Sequence, residues 1–463
     1  MKKLIFSFLL SILLSSCSQT SDKKSFDLLI TNASIVNIKG DSIHQSKFIG
    51  ISNDTIQWVG EMEEIGAYEG KEVIDVKNNY VMPGLWDMHV HFRGGDSLIK
   101  ENKDLLKLFL AYGVTTVRDA GGDITPAVME WRKNIEKNSM AGPRIFSSGP
   151  KLDGKNPAWD GSIAISNEND VSPALDSLKD LDVDYVKMYD GSLTPDLFYA
   201  IITEAEKRNL KTTGHMPLDA DLIKAIDLGL DGLEHMYYTL KSSSPRADSI
   251  TSVHSGYGMI EPLIDTYDPE MAANIFSKMA ASDMSITPTL HIGKVLSNLL
   301  ETDHSKDSLL NYIGPGIKQS YQRRIDGAKR AKAAGSQRRE KMERLSATMI
   351  IPMYKAGINI LAGSDSGASN SFVYPGESLH SELEELVNAG LSPAQALLTS
   401  VINGPEFFDL ENSYGSLEKG KVADMIILKK NPLEDIKNTR SIKFVIKNNK
   451  IYTPGDLLKN LNN

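Results

Sequence analysis

The chain has 463 residues, of which 41% are hydrophobic and 24% are charged. These values are ordinary for a globular protein, and the length favours one large core with an accessory domain. The formal net charge is −9, which gives no reason to expect a nucleic acid partner. Cys17 is the only cysteine, so the chain has neither an intramolecular disulfide framework nor a cysteine metal site.

The first segment has the layout of a secretory signal. Two lysines precede an apolar run from Leu4 to Leu14, and small residues lead to Cys17. The run is too short for a comfortable membrane span. The stretch "LSSC" resembles the lipobox of bacterial lipoproteins, which implies a signal peptide (1–16), lipidation of Cys17 and a tether (17–26). We therefore expect an exported, membrane-anchored protein, either periplasm-facing or in the outer membrane; an ordinary signal peptide with a chance cysteine is the alternative.

Short, turn-punctuated strands occupy both ends of the mature chain. Val and Ile alternate with polar residues over 27–82, and segments such as "KVADMIIL" and "IKFVIKNNKIY" repeat this pattern within 411–455. Two β segments that flank everything else pair most simply with each other. We therefore expect one small β-sandwich domain formed from both chain ends.

Between these segments, over 83–410, short apolar strands alternate with helical stretches. This alternation predicts an α/β fold, specifically a (β/α)8 TIM-type barrel; a doubly wound open sheet is the alternative. Near the end of the region, Ser392 followed by Pro393 predicts the start of a helix. Eight segments read as barrel strands: "GLWDMHVHF", "VTTVRDAG", "PRIFSSG", "VDYVKMYDG", "LKTTGHM", "DGLEHMYY", "SITPTLHI" and "INILAGSDSG".

A charged helical insertion interrupts the alternation at about 314–347. It contains "RRIDGAKRAKAAGSQRREKMERLSATM", in which both signs of charge are mixed. We interpret it first as a solvated helix outside the barrel. The alternative is a cap over the mouth of the active site, because loops at the C-terminal side of barrel strands carry function.

Potential metal ligands recur at the ends of the predicted strands. On the first strand Asp87, His89 and His91 share one face, because successive side chains of a strand point to opposite sides. In a barrel all C-terminal strand ends meet at one mouth, so side chains far apart in sequence converge there. The candidates are His89, His91, Lys187, His215, His235 and Asp365.

Each candidate taken singly has an ordinary structural explanation. A strand histidine is often a hydrogen-bonded core residue, Gly-Ser-Asp is common in turns, and Lys187 could form an ion pair. Their joint occurrence favours a metal site, because several buried imidazoles without metal or partners would each need hydrogen bonds. Imidazoles with a carboxylate suit zinc and neighbouring divalent metals.

These motifs occur in the order that is typical of the amidohydrolase superfamily of metal-dependent hydrolases. The chain resembles that superfamily over nearly its whole mature length, through "PGLWDMHVHF", the strand-borne lysine, "GH", "EH", "GSD" and "GSLEKGKVADMIIL". It looks most similar to the imidazolonepropionase-like and Xaa-Pro dipeptidase-like branch. The resemblance implies a (β/α)8 barrel.

The resemblance also implies roles for the candidates. His89 and His91 would bind the more buried of two divalent ions, His215 and His235 the second, and Asp365 would complete the first site. Lys187 matches the lysine that binuclear members carboxylate with carbon dioxide to bridge both ions. Zinc is the expected metal, with manganese, iron or cobalt as alternatives. A carbamate fits the electrostatics, because two cations close together repel each other unless an anion lies between them.

The expected reaction is hydrolysis of a C–N amide or peptide bond in a dipeptide or N-acyl amino acid. A metal-activated hydroxide would attack, and Asp365 would take its proton and pass it to the leaving nitrogen. A mononuclear cyclic amidohydrolase, deaminase or lactonase of the same superfamily is one alternative. A non-catalytic ligand-binding lipoprotein is another. The candidate residues for binding a small-molecule or short-peptide substrate are Arg93, Tyr189, Tyr237, Tyr238 and His291.

Overall fold

The structure is a computed structural model that describes residues 23–459 and 461. The predicted signal segment, the start of the tether and Cys17 lie outside these residues. Within the described part of the chain, none of the helices is both long and apolar enough to cross a membrane.

Both ends of the chain contribute to one eight-stranded mixed sheet. Its strands are β1 (Lys24–Asn37), β2 (Ser42–Ser52), β3 (Thr55–Glu61), β4 (Tyr68–Asp75), β5 (Tyr80–Pro83), β17 (Met425–Leu428), β18 (Ile442–Lys447) and β19 (Lys450–Tyr452). They run in the order β19, β18, β17, β5, β1, β2, β3, and β4 pairs alongside β1. The two ends of the chain meet where β17 lies antiparallel to β5 and Ile427 faces Val81.

The middle of the chain alternates short strands with helices, and each of the eight segments expected to be a strand contains one. The strands are β6 (Leu85–His91), β7 (Val114–Asp119), β8 (Arg144–Ser147), β9 (Leu152–Asp153), β10 (Ile163–Ala164), β11 (Val186–Met188), β12 (Thr212–Gly214), β13 (Gly232–Glu234), β14 (Ser285–Thr287), β15 (Asn359–Ile360) and β16 (Ser366–Gly367).

Sixteen α-helices lie within the described residues. They are α1 (Ile99–Ala111), α2 (Thr125–Glu136), α3 (Val171–Asp180), α4 (Pro195–Glu206), α5 (Leu222–Asp227), α6 (Ala247–Thr251), α7 (Ile260–Asp265), α8 (Pro269–Ala281), α9 (Leu290–Ser297), α10 (Pro315–Ser320), α11 (Gln322–Ala333), α12 (Arg338–Ala356), α13 (Glu377–Asn388), α14 (Pro393–Val401), α15 (Asn403–Phe407) and α16 (Pro454–Leu458).

The strands of the middle region are parallel and form three hydrogen-bonded groups. Their orders are β16-β6-β7-β8, β10-β9-β11-β12 and β13-β14-β15. Single backbone hydrogen bonds connect one group to the next: Asp184 N donates to Ser147 O, Asp231 N to Thr212 O and Met88 N to Ala362 O. All seven residues of β6 are buried, as expected for a parallel strand that is covered on both faces.

Several helices start where the sequence supplies a cap followed by proline. Ser392 accepts a hydrogen bond from Gln395 N and Pro393 is the first residue of α14, so the predicted helix start is observed. Thr194 caps α4 and Asp268 caps α8 in the same way. Each cap satisfies backbone N–H groups that have no partner inside the helix, and the fixed φ of proline suits the first turn.

One expected strand is shorter than its sequence indicates. In "SITPTLHI", β14 ends at Thr287, Pro288 follows, and Thr289 has a φ of 52°. Proline has no N–H for the sheet and the left-handed residue turns the chain, so α9 begins at Leu290. His291 therefore lies in the first turn of a helix rather than beyond the end of a strand.

Candidate metal centre

Three predicted ligands form one compact group. A ring nitrogen of His89, a ring nitrogen of His91 and a carboxylate oxygen of Asp365 all lie within 4.8 Å of one another, and all three residues are buried. The two histidines come from the same face of β6, as their spacing predicted. Asp87 shares the strand but not the group: its carboxylate accepts hydrogen bonds from the backbone and hydroxyl of Ser364.

The chemistry of this group fits a divalent metal ion. Neither ring nitrogen of His89 has a hydrogen-bond partner among the described residues, although the side chain is fully buried. Such a side chain is costly to bury without a ligand. Burial lowers the pKa of His89 to about 4, so the ring is neutral at pH 7, which is the form that binds metals. The group could therefore hold a metal ion.

The Asp365 carboxylate is ionised in this environment. Burial acts to raise its pKa, but the rings of His89 and His91 hold the pKa well below its usual value. Nε2 of His91 lies 3.2 Å from Oδ1 of Asp365, and Nε2 of His89 lies 3.5 Å from the same oxygen. Asn370 donates its side-chain amide to this oxygen at 2.7 Å. An anionic oxygen therefore faces two imidazoles in a fixed position.

The other three predicted histidine ligands differ from His89, because each has a partner on Nδ1. Nδ1 of His91 lies 3.1 Å from the carbonyl of Gly121, and Nδ1 of His215 lies 3.1 Å from Oδ1 of Asp190. Nδ1 of His235 lies 2.6 Å from the hydroxyl of Thr289. A partner on Nδ1 fixes the ring and leaves Nε2 available, which is the usual arrangement of histidines that bind metals.

His215 and His235 lie beside the compact group but are not part of it. Their ring centroids are 4.9 Å apart. Nε2 of His235 lies 3.9 Å from Oδ2 of Asp365, so the second oxygen of Asp365 faces this pair. The structure thus brings the four predicted histidines and Asp365 together at one end of the parallel strands.

The side chain of Lys187 also lies at this end of the parallel strands. It contacts Glu234, a carboxylate that we did not predict as part of the site. Its ammonium forms an ion pair with Glu234, and both side chains are fully buried. Arg118 and Thr213 also donate to Glu234, at 3.2 and 2.9 Å. Burial by itself raises the pKa of Glu234, but Lys187 and Arg118 outweigh it and lower the pKa below its usual range.

The backbone around the site adopts conformations that L-residues rarely take. His235, Thr289 and Asp365 have φ values of 66°, 52° and 56°. Such residues cost conformational energy and often cluster at functional sites. Gly363 precedes the Ser-Asp pair, and a Cβ at that position would lie 2.7 Å from Cβ of His89. Glycine therefore lets the chain that carries Asp365 approach β6.

A cavity with a volume of about 390 Å³ opens over the histidines. Among the predicted substrate residues, Arg93, Tyr189 and Tyr237 line it, and the Tyr189 ring stacks on His215 with centroids 4.4 Å apart. Tyr238 and His291 are not among the lining residues. Tyr238 is fully buried and donates its hydroxyl to Asp190, and α9 directs the backbone N–H of His291 to Glu382.

The charged insertion forms one wall of this cavity. Arg323 and Arg324 of α11 and Arg338 and Arg339 of α12 line it, so the alternative interpretation, a cap over the mouth, describes these side chains, whereas much of the rest of α11 is exposed to solvent. Mixed charge is compatible with either position, because it does not indicate which side chains face a cavity. Arg324 donates to Asn370, the residue that holds Asp365, and so connects the insertion to the site.

Comparison with known proteins places this site in a family. The Amidohydrolase family profile matches residues 80–452. A 5-methylthioadenosine/S-adenosylhomocysteine deaminase of Acetivibrio thermocellus is 23% identical over 424 residues, 87% of this chain and 85% of the relative. An adenine deaminase of Staphylothermus marinus is 33% identical over 115 residues, but this match spans 24% of the chain and only 18% of the relative.

A solved structure agrees over nearly the full length. A Xaa-Pro dipeptidase with bound methionine in its active site superimposes with a TM-score of 0.67 and 19% identity, over 92% of this chain and 99% of that one. At this identity the likeness concerns the fold. The family match covers most of the chain, and the protein belongs to the amidohydrolase family. It is a hydrolase that acts on carbon–nitrogen bonds.

Proposed function

We propose that the protein hydrolyses the C–N amide bond of a dipeptide or N-acyl amino acid. The observation that carries this proposal is the compact group of His89, His91 and Asp365 at a cavity that also exposes Arg93. The group supplies metal ligands and a buried carboxylate, and the guanidinium supplies a partner for a substrate carboxylate. A cavity of about 390 Å³ suits a small molecule of this size.

We infer that the middle region is a closed (β/α)8 barrel and that the terminal sheet folds over as a small β-sandwich. Support for the barrel comes from the parallel pairings and from the hydrogen bonds that link the three strand groups. Support for the sandwich comes from β1. Its first half pairs with β4, its second half pairs with β5, and bulges lie between Ile30 and Ile35.

We propose that the site holds two divalent ions, with zinc the best match to imidazole and carboxylate ligands. His89, His91 and Asp365 would hold one and His215 and His235 the other. The ammonium of Lys187, whose pKa burial lowers, would first release one proton to solvent and leave its pairing with Glu234. The neutral amine would then bond to the carbon of carbon dioxide and lose a second proton, which gives an anionic carbamate with two oxygens. The carbamate removes the cationic Lys187 from a site that must accommodate other cations.

Metal ions at such a site polarise carbonyl groups and lower the pKa of water. The protein's own groups do the rest. Asp365 is anionic and held by Asn370, so it accepts a proton from the attacking water and delivers it to the leaving nitrogen. Arg93 binds the substrate carboxylate, and its stacking on Trp159 at 4.1 Å fixes the guanidinium plane. The insertion lines one side of the cavity with arginines.

A deaminase is the second candidate function, because similarity to the Acetivibrio thermocellus deaminase extends over 87% of the chain. A deaminase would release ammonia from a ring amine. Lys187 favours the amide hydrolase, since the proposed carbamate serves a two-metal site. Lactones and aryl esters enter the experiment below as comparison substrates for the amides.

The experiment measures metal and substrate together. Purified protein is analysed for metal, then assayed on dipeptides, N-acyl amino acids, adenosine derivatives, lactones and aryl esters with and without chelator. We expect about two divalent ions per chain, turnover of an amide substrate, loss in chelator and recovery on adding zinc or manganese. Turnover confined to the adenosine derivatives would make the protein a deaminase. Activity that persists in a metal-free preparation would contradict the metal site.

We also propose that the mature protein is a membrane-anchored lipoprotein carried by Cys17. Support comes from the sequence alone: the two N-terminal lysines, the apolar run and the "LSSC" motif.

A further inference from the structure

Five arginines from three parts of the chain line the cavity. Arg93 follows β6, and the other four belong to the helices of the insertion: Arg323, Arg324, Arg338 and Arg339. Asp365 and Glu343 are the acidic side chains in the same lining, and Asp365 is already committed to the histidines. The cavity therefore carries more positive charge than the reacting group requires.

None of these arginines has a carboxylate partner within 4.0 Å in the described part of the chain. Their contacts are to neutral oxygens instead: Arg324 donates to the side chain of Asn370, Arg338 to the carbonyl of Tyr257 and Arg339 to the carbonyl of Leu296. Arg93 is buried, Arg324, Arg338 and Arg339 are half-buried, and only Arg323 is exposed. Buried and half-buried guanidinium groups are normally paired with acids, since unpaired charge is costly to bury. This cluster is left without the anions that would compensate it.

Arg93 gives independent evidence for a bound anion. Its side chain is only 5% exposed, and its Nε donates to the carbonyl of Ala368 at 2.8 Å. Its Nη2 has no hydrogen-bond partner among the residues that the structure describes. Arg323 stacks on Trp159 at 4.5 Å, the same ring that Arg93 contacts. Two guanidinium planes are thus fixed by one indole at the cavity wall, and a buried donor is free for a ligand.

One carboxylate cannot pair with all of these groups. A guanidinium binds a carboxylate through two parallel hydrogen bonds. Arg93 and Arg323, which share the Trp159 ring, are therefore enough to bind a single carboxylate. The other arginines of α11 and α12 would still have no anionic partner. Divalent ions bound at the histidines would make the cavity still more positive and would not offset them.

We propose that the substrate carries two carboxylates, and that the residue on the nitrogen side of the cleaved bond is aspartate or glutamate. This inference rests on the proposed function, since it names the substrate class of that site. The α-carboxylate binds at Arg93, and the side-chain carboxylate binds the arginines of the insertion. The insertion is therefore a specificity element that selects acidic amino acids.

Binding of the released amino acid tests this without requiring turnover. The probes are L-glutamate and L-glutamine, which match in size and differ by one charge, titrated calorimetrically into the metal-loaded protein. We expect L-glutamate to bind about tenfold or more tightly, the usual worth of a charged hydrogen-bonded pair. Equal affinity of the two would overturn the proposal.

Variants at cavity positions and at matched exposed positions show which arginines cause the preference for L-glutamate. Arg324→Gln and Arg338→Gln should each reduce the preference for L-glutamate severalfold. Arg330→Gln and Arg344→Gln, on exposed parts of the same helices, should leave it unchanged. A preference that survives in both cavity variants would overturn the assignment to the insertion. O-phospho-L-serine is the third probe, and tighter binding of it than of L-glutamate would replace the dicarboxylate with a phosphorylated substrate.

Kinetics separate this inference from the proposed function. We expect kcat/KM for N-acetyl-L-glutamate to exceed that for N-acetyl-L-glutamine about tenfold, in keeping with the binding difference. Hydrolysis of both at equal rates would sustain the amide hydrolase and overturn the acidic specificity. Preferential binding of L-glutamate without hydrolysis of any amide would sustain the arginine site and refute the proposed reaction.

Discussion

Oδ1 of Asp190 lies 3.1 Å from Nδ1 of His215 and thereby fixes which nitrogen of that ring faces the site. Tyr238 donates its hydroxyl to the other carboxylate oxygen at 3.0 Å. Tyr257 also donates its hydroxyl to Asp190, to Oδ1 at 3.4 Å, so two tyrosines hold Asp190 while it orients His215. Carboxylate partners of this kind increase the basicity of a metal-binding imidazole and fix its tautomer.

The first prediction follows from this contact. Asp190→Ala should lower affinity for the zinc ion that His215 would bind by about 10–100-fold, measured by competition with a chromogenic chelator. Asp190→Asn should restore part of the affinity, because its amide oxygen still accepts the hydrogen bond from Nδ1. Asp196→Ala, at an exposed position on α4, is the control. Unchanged zinc affinity in Asp190→Ala would show that Asp190 does not position His215.

The second prediction concerns Asp365 as the proton carrier. Asp365→Asn retains a side-chain oxygen but cannot accept the proton, so kcat should fall by about 10²–10⁴-fold while zinc remains bound. The measurements are steady-state kinetics and metal content on the same preparation. Ser366→Ala, at the next residue, controls for disturbance of the chain. Full turnover by Asp365→Asn would remove Asp365 from that role.

The convergence of the histidines could be predicted because it depends on simple periodicities. His89 and His91 share a strand face, and strand ends of a parallel α/β fold meet at one edge, so Asp365 joins them across 274 residues of sequence. The start of α14 was equally predictable, because Ser392 and Pro393 satisfy a local requirement of the helix end.

Other parts of the site depend on which way a side chain points, and pattern alone does not determine this. Asp190 follows Lys187 by three residues, yet its contact with His215 requires the two neighbouring strands to be in register. The arginines of α11 and α12 read equally well as a solvated surface. His291 was misplaced because Pro288 and a left-handed Thr289 end the strand early, and the sequence signal for that turn is weak.

The third prediction tests the carbamate on Lys187. Lys187→Ala removes the amine that would carry the carbamate, so activity should fall by about 10²-fold or more, as expected when a metal ion that contributes to catalysis is lost. Added acetate or propionate should restore part of it, since a small carboxylate can replace the missing oxygens. Lys151→Ala controls for loss of a nearby buried lysine. Normal turnover and full metal content without added acid would refute the carbamate.

The fourth prediction concerns the N-terminus. In bacterial cells supplied with a labelled fatty acid, the protein should incorporate label and sediment with membranes. Cys17→Ala should abolish labelling, because the thiol is the acceptor and the chain has no other cysteine. Ser16→Ala leaves the thiol in place and should remain labelled. Equal labelling of wild type and Cys17→Ala would contradict lipidation at this position.

The fifth prediction is a pH dependence of stability that arises outside the metal centre. Glu382 is fully buried, and its two carboxyl oxygens accept hydrogen bonds from the backbone N–H groups of Leu290 and His291 at the start of α9. Burial raises the pKa of Glu382 from 4.5 to about 8. The folded protein therefore retains a proton at pH 7 that the unfolded chain releases.

The sign of the effect follows from proton linkage. Below pH 4.5 both states bind the proton, so this group adds no pH dependence. Between about pH 5 and 8 the folded state binds more protons, so the free energy of unfolding falls as pH rises, by up to about 1.4 kcal/mol per pH unit. Above pH 8 both states are ionised and the contribution levels off.

Glu382→Gln isolates this contribution, because glutamine is neutral at every pH. Urea unfolding of both proteins at pH 5, 6, 7 and 8 should give a flatter dependence for the variant, whatever constant difference in stability the substitution causes. The readout is the difference in slope, which groups common to both proteins do not affect. Parallel stability curves across this range would mean that Glu382 is already ionised in the folded protein, with its charge stabilised by the two N–H groups of α9.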